Sequence, residues 1–213
     1  MDATLLRPLP IPQPERTVVL NETTATTRRA GVSPLNLLDW RDRSRSFDAM
    51  AAYVSGIGGM VLAGRDGSAE TIPRQWVTAG FFDALGIVPI AGRTFQWDDD
   101  TAQRNATVLT ESFWRTRFGG DASIVGQDIR LDGDPYTVLG VVPDSAQLLG
   151  RTSIWALISI QGAPPRARRA HPFNAIGLEA RRQPGHGGRG SLRDRRPARA
   201  RVSGHQRRPE CVR

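Results

Sequence analysis

Lysine is absent from the 213-residue sequence, and cysteine occurs once, at Cys211. A single cysteine excludes an internal disulfide framework and a cysteine-based metal site within the chain. Long apolar runs are also missing, since none approaches the roughly 18–20 residues that a membrane-spanning helix needs. The N-terminus lacks the basic segment and apolar core of a signal peptide. The sequence as written therefore predicts a cytoplasmic location if this chain is expressed alone.

Positive charge is confined to one end of the chain. The whole sequence has a net charge of +8. Residues 1–162 contain 15 Arg against 18 Asp and Glu, a net charge of −3, whereas residues 163–213 contain 14 Arg against 3 acidic residues, a net charge of +11. The first part therefore gives no reason to expect specific nucleic-acid binding. The tail, residues 177–213, has too few large apolar residues to offset chain entropy, and we predict that it is disordered.

Residues 15–176 have the pattern of an α+β domain, a mixed β-sheet with short helices packed on it. Alternating prolines predict an extended lead-in over residues 1–14. Ser33 and Pro34 indicate the start of a helix, and Ser46 is placed to cap a further helical turn carrying Phe47 and Met50. Strands are predicted at residues 16–22, 70–77, 106–109 and 153–160.

The most regular pattern lies between residues 76 and 142. Thr78 is placed to cap a short helix that ends at Gly86. A second helix is predicted over residues 111–118, stopped by two glycines. Asp132-Gly133 lies between two alternating apolar runs, 127–131 and 136–142, which is a strong signal for a β-hairpin.

This stretch also resembles a known family. It contains F-F-x-x-L-G-x-x-P-x-x-G-R-x-F, then S-x-W-x-x-x-F-G-x-D-x-x-x-V-G, then L-x-G-x-x-Y-x-V-x-G-V-x-P. These motifs, in this order, resemble the MacB-like periplasmic core domain, the large extracytoplasmic insertion of FtsX-type ABC-transporter permeases. The likeness runs from about Leu5 to about Ile176. The motif residues, to which the resemblance assigns structural roles, are Phe81, Phe82, Leu85, Gly86, Pro89, Gly92, Arg93, Phe95, Trp114, Phe118, Gly119, Gly126, Gly133, Tyr136 and Gly140.

The resemblance implies a non-catalytic domain with no cofactor, no metal and no catalytic residue. It implies that the domain transmits ATP-driven conformational change in an export-type transporter at the periplasmic face of the inner membrane. The implied partners are the transmembrane helices of the same permease, a second permease subunit, an ABC ATPase and a periplasmic adaptor. Because the family's transmembrane helices have no counterpart in this sequence, we interpret the chain as a truncated fragment.

The tail departs from the family pattern after Gly177. The family typically has L-K-P-G-V at this point, and a one-base shift of the reading frame near residue 178 permits that sequence. The same shifted frame across residues 196–206 permits an amphipathic helix end that is typical of the family. We therefore interpret the tail as a frame-shift product. The alternative is a soluble binding module with a basic nucleic-acid-binding tail around Arg189, although base-stacking aromatics are missing there.

Other candidate sites are weaker. Asp98, Asp99 and Asp100 could bind a hard cation, but a solvated acidic turn is favoured because further oxygen ligands at loop spacing are missing. Gly56, Gly58 and Gly59 lack the strand-then-helix setting of a phosphate loop, which favours a simple bend.

Three further candidates are judged by the residues around them. A nucleophile at Ser112 needs a base, and the histidines His171, His186 and His205 lie in or beside the tail. Arg93 is expected to bond carbonyl groups or an acidic partner at its turn. The tryptophans, which are more often core anchors than the walls of a pocket, are Trp40, Trp76, Trp97, Trp114 and Trp155.

Overall fold

The computed structural model describes residues 11–24, 27, 29–64, 67–102 and 105–181. The predictions for residues 1–10 and 182–213 lie outside this part of the chain, including those for His186, Arg189 and His205. Two features extend past the predicted limits of the domain: Ile11 is buried in the core, and the last strand continues to Glu179.

The described residues form ten strands and four α-helices, joined by 3₁₀ turns at Ala122–Ile124, Asp144–Ala146 and Pro165–Arg169. The strands are β1 Thr17–Leu20, β2 Phe47–Val54, β3 Gly58–Ala63, β4 Ala69–Val77, β5 Ala91–Gly92, β6 Ala106–Thr110, β7 Asp128–Leu131, β8 Asp134–Val142, β9 Ile154–Leu157 and β10 Phe173–Glu179. The helices are α1 Pro34–Arg43, α2 Phe81–Leu85, α3 Trp97–Thr101 and α4 Glu111–Phe118. The predicted α+β class, a mixed sheet with short helices, is confirmed.

All ten strands belong to one mixed sheet. The order β1-β10-β2-β4 forms one arm, in which neighbouring strands are antiparallel. The other strands continue as β4-β3-β7-β8-β6-β9, and β9 returns to pair with β4, so these six strands close into a ring. Two pairs in the ring are parallel, β6 with β8 and β4 with β9. The short strand β5 adds to the side of β8.

The core is divided between the two faces of the sheet, because side chains alternate along each strand. In β9, Ile154 and Ala156 belong to a cluster with α4, whereas Trp155 belongs to a cluster with α2. A third cluster lies between α1, β2 and β10 and includes Leu37 and Phe173. The helices α1, α2 and α4 therefore each cover an apolar surface of the sheet.

Several local predictions are confirmed. Ser33 accepts a hydrogen bond from the backbone N–H of Asn36 at the start of α1. Helix α4 has the predicted bounds, and Gly119 ends it in a left-handed conformation. Strands β7 and β8 form the predicted hairpin around Asp132-Gly133.

Two predicted helix caps are wrong. Ser46 does not start a helical turn, because Phe47–Val54 is strand β2 and pairs with β10. Thr78 does not cap α2, which begins after Gly80. The buried Thr78 hydroxyl instead accepts a hydrogen bond from the Ala52 backbone N–H at 2.8 Å, so it joins β2 to the end of β4.

Among the described residues, no helix has both the length and the apolar composition needed to cross a bilayer.

Candidate functional site

The chain enters and leaves the folded unit side by side. β1 pairs antiparallel with β10, and Thr17 lies opposite Leu178. The segment before β1 and the segment after β10 are therefore separated by about one strand spacing, roughly 5 Å. We call this place, residues 13–17 with 178–181, the junction.

Arg16 holds the junction together. Its Nε donates to the Glu179 carbonyl oxygen at 2.9 Å, and its guanidinium also bonds the Asp48 carboxylate of β2 and the Gln13 side chain. The Glu179 backbone N–H donates in return to the Arg16 carbonyl oxygen at 2.9 Å. One side chain thus joins the entering segment, the leaving segment and β2.

The entering segment also contacts helix α2. Ile11 is buried in the core cluster that contains α2. Gly86, which ends α2 in a left-handed conformation, lies against Pro12 and Gln13, since a Cβ at this glycine would be 3.3 Å from the Gln13 amide nitrogen. Because α2 carries the first family motif, the junction and that motif form one packed unit.

The turn after α2 is held by an ion pair. Arg93 donates to both carboxylate oxygens of Asp99, at 2.6 and 2.7 Å, and Asp99 also accepts the Gln96 backbone N–H at 2.9 Å. Hydrogen bonding to Asp99 raises the pKa of Arg93. The expected acidic partner of Arg93 is therefore Asp99, at the start of α3.

The prediction of a solvated acidic turn at Asp98, Asp99 and Asp100 is wrong for two of the three residues, because Asp99 is 3% exposed and Asp100 is fully buried. One Asp100 carboxylate oxygen accepts hydrogen bonds from the Ser159 hydroxyl and from the Ile160 and Gln161 backbone N–H groups. This carboxylate therefore organises the segment after β9. Within the described part of the chain, no group of three or more His, Cys, Asp or Glu side chains is arranged to hold a metal ion.

The ion pair yields a prediction. Asp99→Asn should lower the free energy of unfolding by about 2 kcal/mol, because charge-assisted hydrogen bonds at a buried carboxylate are lost. Asp98→Asn, an exposed neighbour on the same helix, is the matched control and should change it by less than about 0.5 kcal/mol. Urea unfolding measures both, and equal effects of the two substitutions would contradict the assigned role of Asp99.

The remaining motif residues lie in the hydrophobic core or in turns and loops between the elements. Phe81, Phe82, Leu85 and Phe95 are buried together in one cluster. Trp114 and Tyr136 are buried in the cluster that includes residues of α4, and Phe118 packs against that cluster. Gly92 lies opposite Gly140 where β5 meets β8. Gly126 and Gly133 have positive φ angles in turns, and Pro89 lies in the loop between α2 and β5.

Within the described part of the chain, the candidate nucleophile Ser112 bonds an aspartate. The Ser112 hydroxyl donates to Asp144 at 2.9 Å, and the Ser112 backbone N–H donates to the same carboxylate at 3.1 Å. His171 bonds Glu22 at 3.0 Å. Ser112 and Asp144 therefore join the start of α4 to the loop after β8.

A comparison with models of known protein families identifies the family to which this domain belongs. The profile of the MacB-like periplasmic core domain matches residues 9–175. The chain belongs to that family. Its domain is therefore of the kind that forms the extracytoplasmic part of ABC-transporter permeases, and the resemblance seen in the sequence motifs is confirmed.

Solved structures share the fold of this MacB-like domain. The periplasmic region of MacB from Actinobacillus actinomycetemcomitans is 16% identical, covers 82% of this chain and 78% of its own, and has a TM-score of 0.56. The extracellular domain of the noncanonic ABC-type transporter YknZ from Gram-positive bacteria is 15% identical, with coverages of 78% and 84% and a TM-score of 0.54. A domain of a permease protein from Porphyromonas gingivalis is 18% identical, with coverages of 83% and 79% and a TM-score of 0.56. A search of curated proteins finds no significant match.

Arg16 was missed by the sequence reasoning. Its partners Asp48 and Glu179 are 32 and 163 positions away. No local spacing rule connects residues at such separations. Arg16 lies within the wider family likeness, from about Leu5 to about Ile176, but outside the three motifs to which structural roles were assigned. Only the pairing of β1 with β10 brings these groups together.

Proposed function

We propose that this MacB-like domain is the extracytoplasmic, non-catalytic part of an export-type ABC-transporter permease. In this role it transmits the ATP-driven movement of transmembrane helices to the outside of the membrane. Its partners are those helices, a second permease subunit, an ABC ATPase and a periplasmic adaptor. Membership of the family supports this proposal.

The observation that carries the proposal is the junction. Because β1 and β10 are hydrogen-bonded neighbours, a movement shared by the two attached segments displaces the whole sheet. A movement that separates the segments would instead unzip β1 from β10 one pair at a time. Arg16 resists that separation, since it bonds Glu179 and Asp48 at once.

A domain graft tests the proposal. Residues 11–181 would replace the corresponding domain in an export-type permease, and ATP-dependent export would be measured in cells with equal amounts of permease in the membrane. The expected result is that the graft retains export above that of a variant with the domain deleted. A folded, inserted graft that exports no better than the deletion variant would overturn the proposal.

Arg16→Gln should weaken the junction without unfolding the domain. We expect the free energy of unfolding to fall by about 1–2 kcal/mol, because charged hydrogen bonds are lost. Backbone amide exchange at Glu179 should become at least about tenfold faster, because local opening is governed by local stability. The exposed Arg117 on α4 supplies the control Arg117→Gln. Unchanged exchange at Glu179 in Arg16→Gln would show that the strand pairing alone holds the junction.

A further inference from the structure

Four exposed arginines lie on α1 and on the 3₁₀ turn that packs against it. Arg43 ends α1 and Arg45 follows it, whereas Arg166 and Arg169 belong to the turn. Within the described part of the chain, none of the four takes part in an ion pair. We call these four residues the basic surface.

The basic surface is held together by Arg168. Its guanidinium donates to the Asn36 and Asp39 side chains of α1, at 2.5 and 2.8 Å, and so joins the turn to the helix. Residues four apart lie on one stripe of a helix, so Arg43 lies one turn beyond Asp39 on the stripe that Arg168 contacts. The neighbours of Arg168 in the turn are two of the four arginines. The basic surface therefore extends along one side of α1.

The acidic residues on α1 are already paired. Residues 34–45 and 165–169 together contain six Arg and two Asp, a net charge of +4, although residues 1–162 as a whole have a net charge of −3. Asp39 pairs with Arg168, and Asp42 pairs with Arg41. The charge of the four remaining arginines is therefore not cancelled on this side of the domain. Like charges repel one another, and an anionic partner relieves that repulsion.

The basic surface adjoins the junction. The carbonyl oxygen of the residue after Arg45 accepts a hydrogen bond from the Ala180 backbone N–H at 2.9 Å. The junction itself contains the exposed Glu15 and Glu179. The chain then continues with residues 181–213, which contain eleven Arg and two acidic residues. Positive charge is therefore in excess on both sides of the point at which the chain leaves the domain.

A surface made of phosphate groups fits these features. Guanidinium groups bind phosphate through two parallel hydrogen bonds, and each arginine near an anionic bilayer raises the affinity on the order of fivefold. Single-stranded nucleic acid would also be bound by aromatic side chains that stack on its bases, and the turn Pro165–Arg169 has none. In the proposed function the junction leads to transmembrane helices, so a bilayer is the phosphate-bearing surface within reach.

We propose that the basic surface binds the phosphate headgroups of an anionic bilayer. Arg43 and Arg45 bind headgroups beside the junction, and Arg166 and Arg169 bind others farther along α1. These contacts fix the tilt of the domain on the bilayer, in addition to its attachment through the junction. The choice of a bilayer as the partner rests on the proposed function.

Sedimentation of the full chain with vesicles tests the proposal. One set of vesicles is phosphatidylcholine alone, and in the other about a third of the lipid is phosphatidylglycerol. The unchanged chain should bind the anionic vesicles more tightly than the neutral ones. Arg166→Gln/Arg169→Gln should weaken binding to the anionic vesicles at least about tenfold, because two contacts with headgroups are lost. Arg43→Gln/Arg45→Gln should weaken it to a similar extent.

Arg117→Gln/Arg151→Gln is the matched control. It removes the same charge from two other exposed arginines, one on α4 and one in the loop before β9. Because these positions are not on the basic surface, binding should change by less than about twofold. The arginine-rich end of the chain is present in every variant, so its contribution to vesicle binding cancels in the comparison.

Equal effects of the basic-surface variants and the control, whether large or small, would overturn the proposal, since binding would then follow net charge or the end of the chain alone. Equally tight binding to neutral and anionic vesicles would also overturn it. A DNA duplex of random sequence is the alternative partner. If Arg166→Gln/Arg169→Gln weakens binding to that duplex and leaves vesicle binding unchanged, the basic surface binds nucleic acid instead. Vesicle binding involves no export, so a negative result here would leave the domain graft to decide the proposed function.

Discussion

Phe82→Ala should lower the free energy of unfolding by about 3–5 kcal/mol, because it removes a large side chain from the centre of the core. Phe82 is 1% exposed and lies at the middle of an aromatic cluster. Its ring makes edge contacts with Phe81 and Trp155 at centroid distances of 5.5 and 5.3 Å, and a tilted contact with Phe95 at 5.9 Å. No single neighbour can move to fill the cavity without losing one of its own contacts.

Urea unfolding followed by tryptophan fluorescence measures this loss. Phe82→Leu keeps most of the volume and should cost less than about 1.5 kcal/mol. Val88→Ala is the surface control, since Val88 is 75% exposed in the loop after α2, and it should cost less than about 0.5 kcal/mol. A loss below about 1.5 kcal/mol for Phe82→Ala would mean that α2 can collapse onto the sheet, and that this family motif does not determine the core.

The sequence was sufficient where the deciding interactions are local. Helix α4 has its predicted bounds because Thr110 accepts a hydrogen bond from the Phe113 backbone N–H at one end, and Gly119 takes a left-handed conformation at the other. The β7–β8 hairpin follows from Asp132-Gly133, both of which have positive φ angles. Each of these signals lies within a few residues of the structure it determines.

Prediction from the sequence failed where contacts between residues far apart in the chain determine the local structure. The segment after Ser46 has a plausible helix cap, but pairing with β10, more than a hundred positions away, makes it a strand. The run of three aspartates predicts a solvated turn, yet Asp100 is buried and bonds Ser159 and the two following backbone N–H groups, 59 to 61 positions away. The junction at Arg16 is of the same kind, since its contacts exist only where β1, β2 and β10 lie side by side.

The second large loss of stability is expected at Gly92, a motif glycine of β5 that lies opposite the motif glycine Gly140 of β8. Gly92→Ala should lower the free energy of unfolding by about 3–4 kcal/mol, the combined cost of a left-handed backbone and of overpacking. Gly92 has a φ of +66°, and an added Cβ would lie less than 3.0 Å from the Leu139 carbonyl oxygen and 2.9 Å from the Gly140 Cα. Backbone atoms of a central strand cannot move aside as a flexible side chain could, so β5 would have to separate from β8.

Gly119→Ala separates the two costs, because Gly119 has a φ of +63° and open space around the Cβ position. It should therefore cost only about 1–2 kcal/mol, the strain of the left-handed conformation alone. Gly140→Ala meets the same contact from the other strand, where an added Cβ would lie 2.8 Å from the Arg93 backbone nitrogen. The double variant Gly92→Ala/Gly140→Ala should then cost less than the sum of the single variants, since either one already separates β5 from β8. Full additivity in urea unfolding, or a Gly92→Ala cost no larger than that of Gly119→Ala, would mean that close approach of these strands is not what requires glycine at the two motif positions.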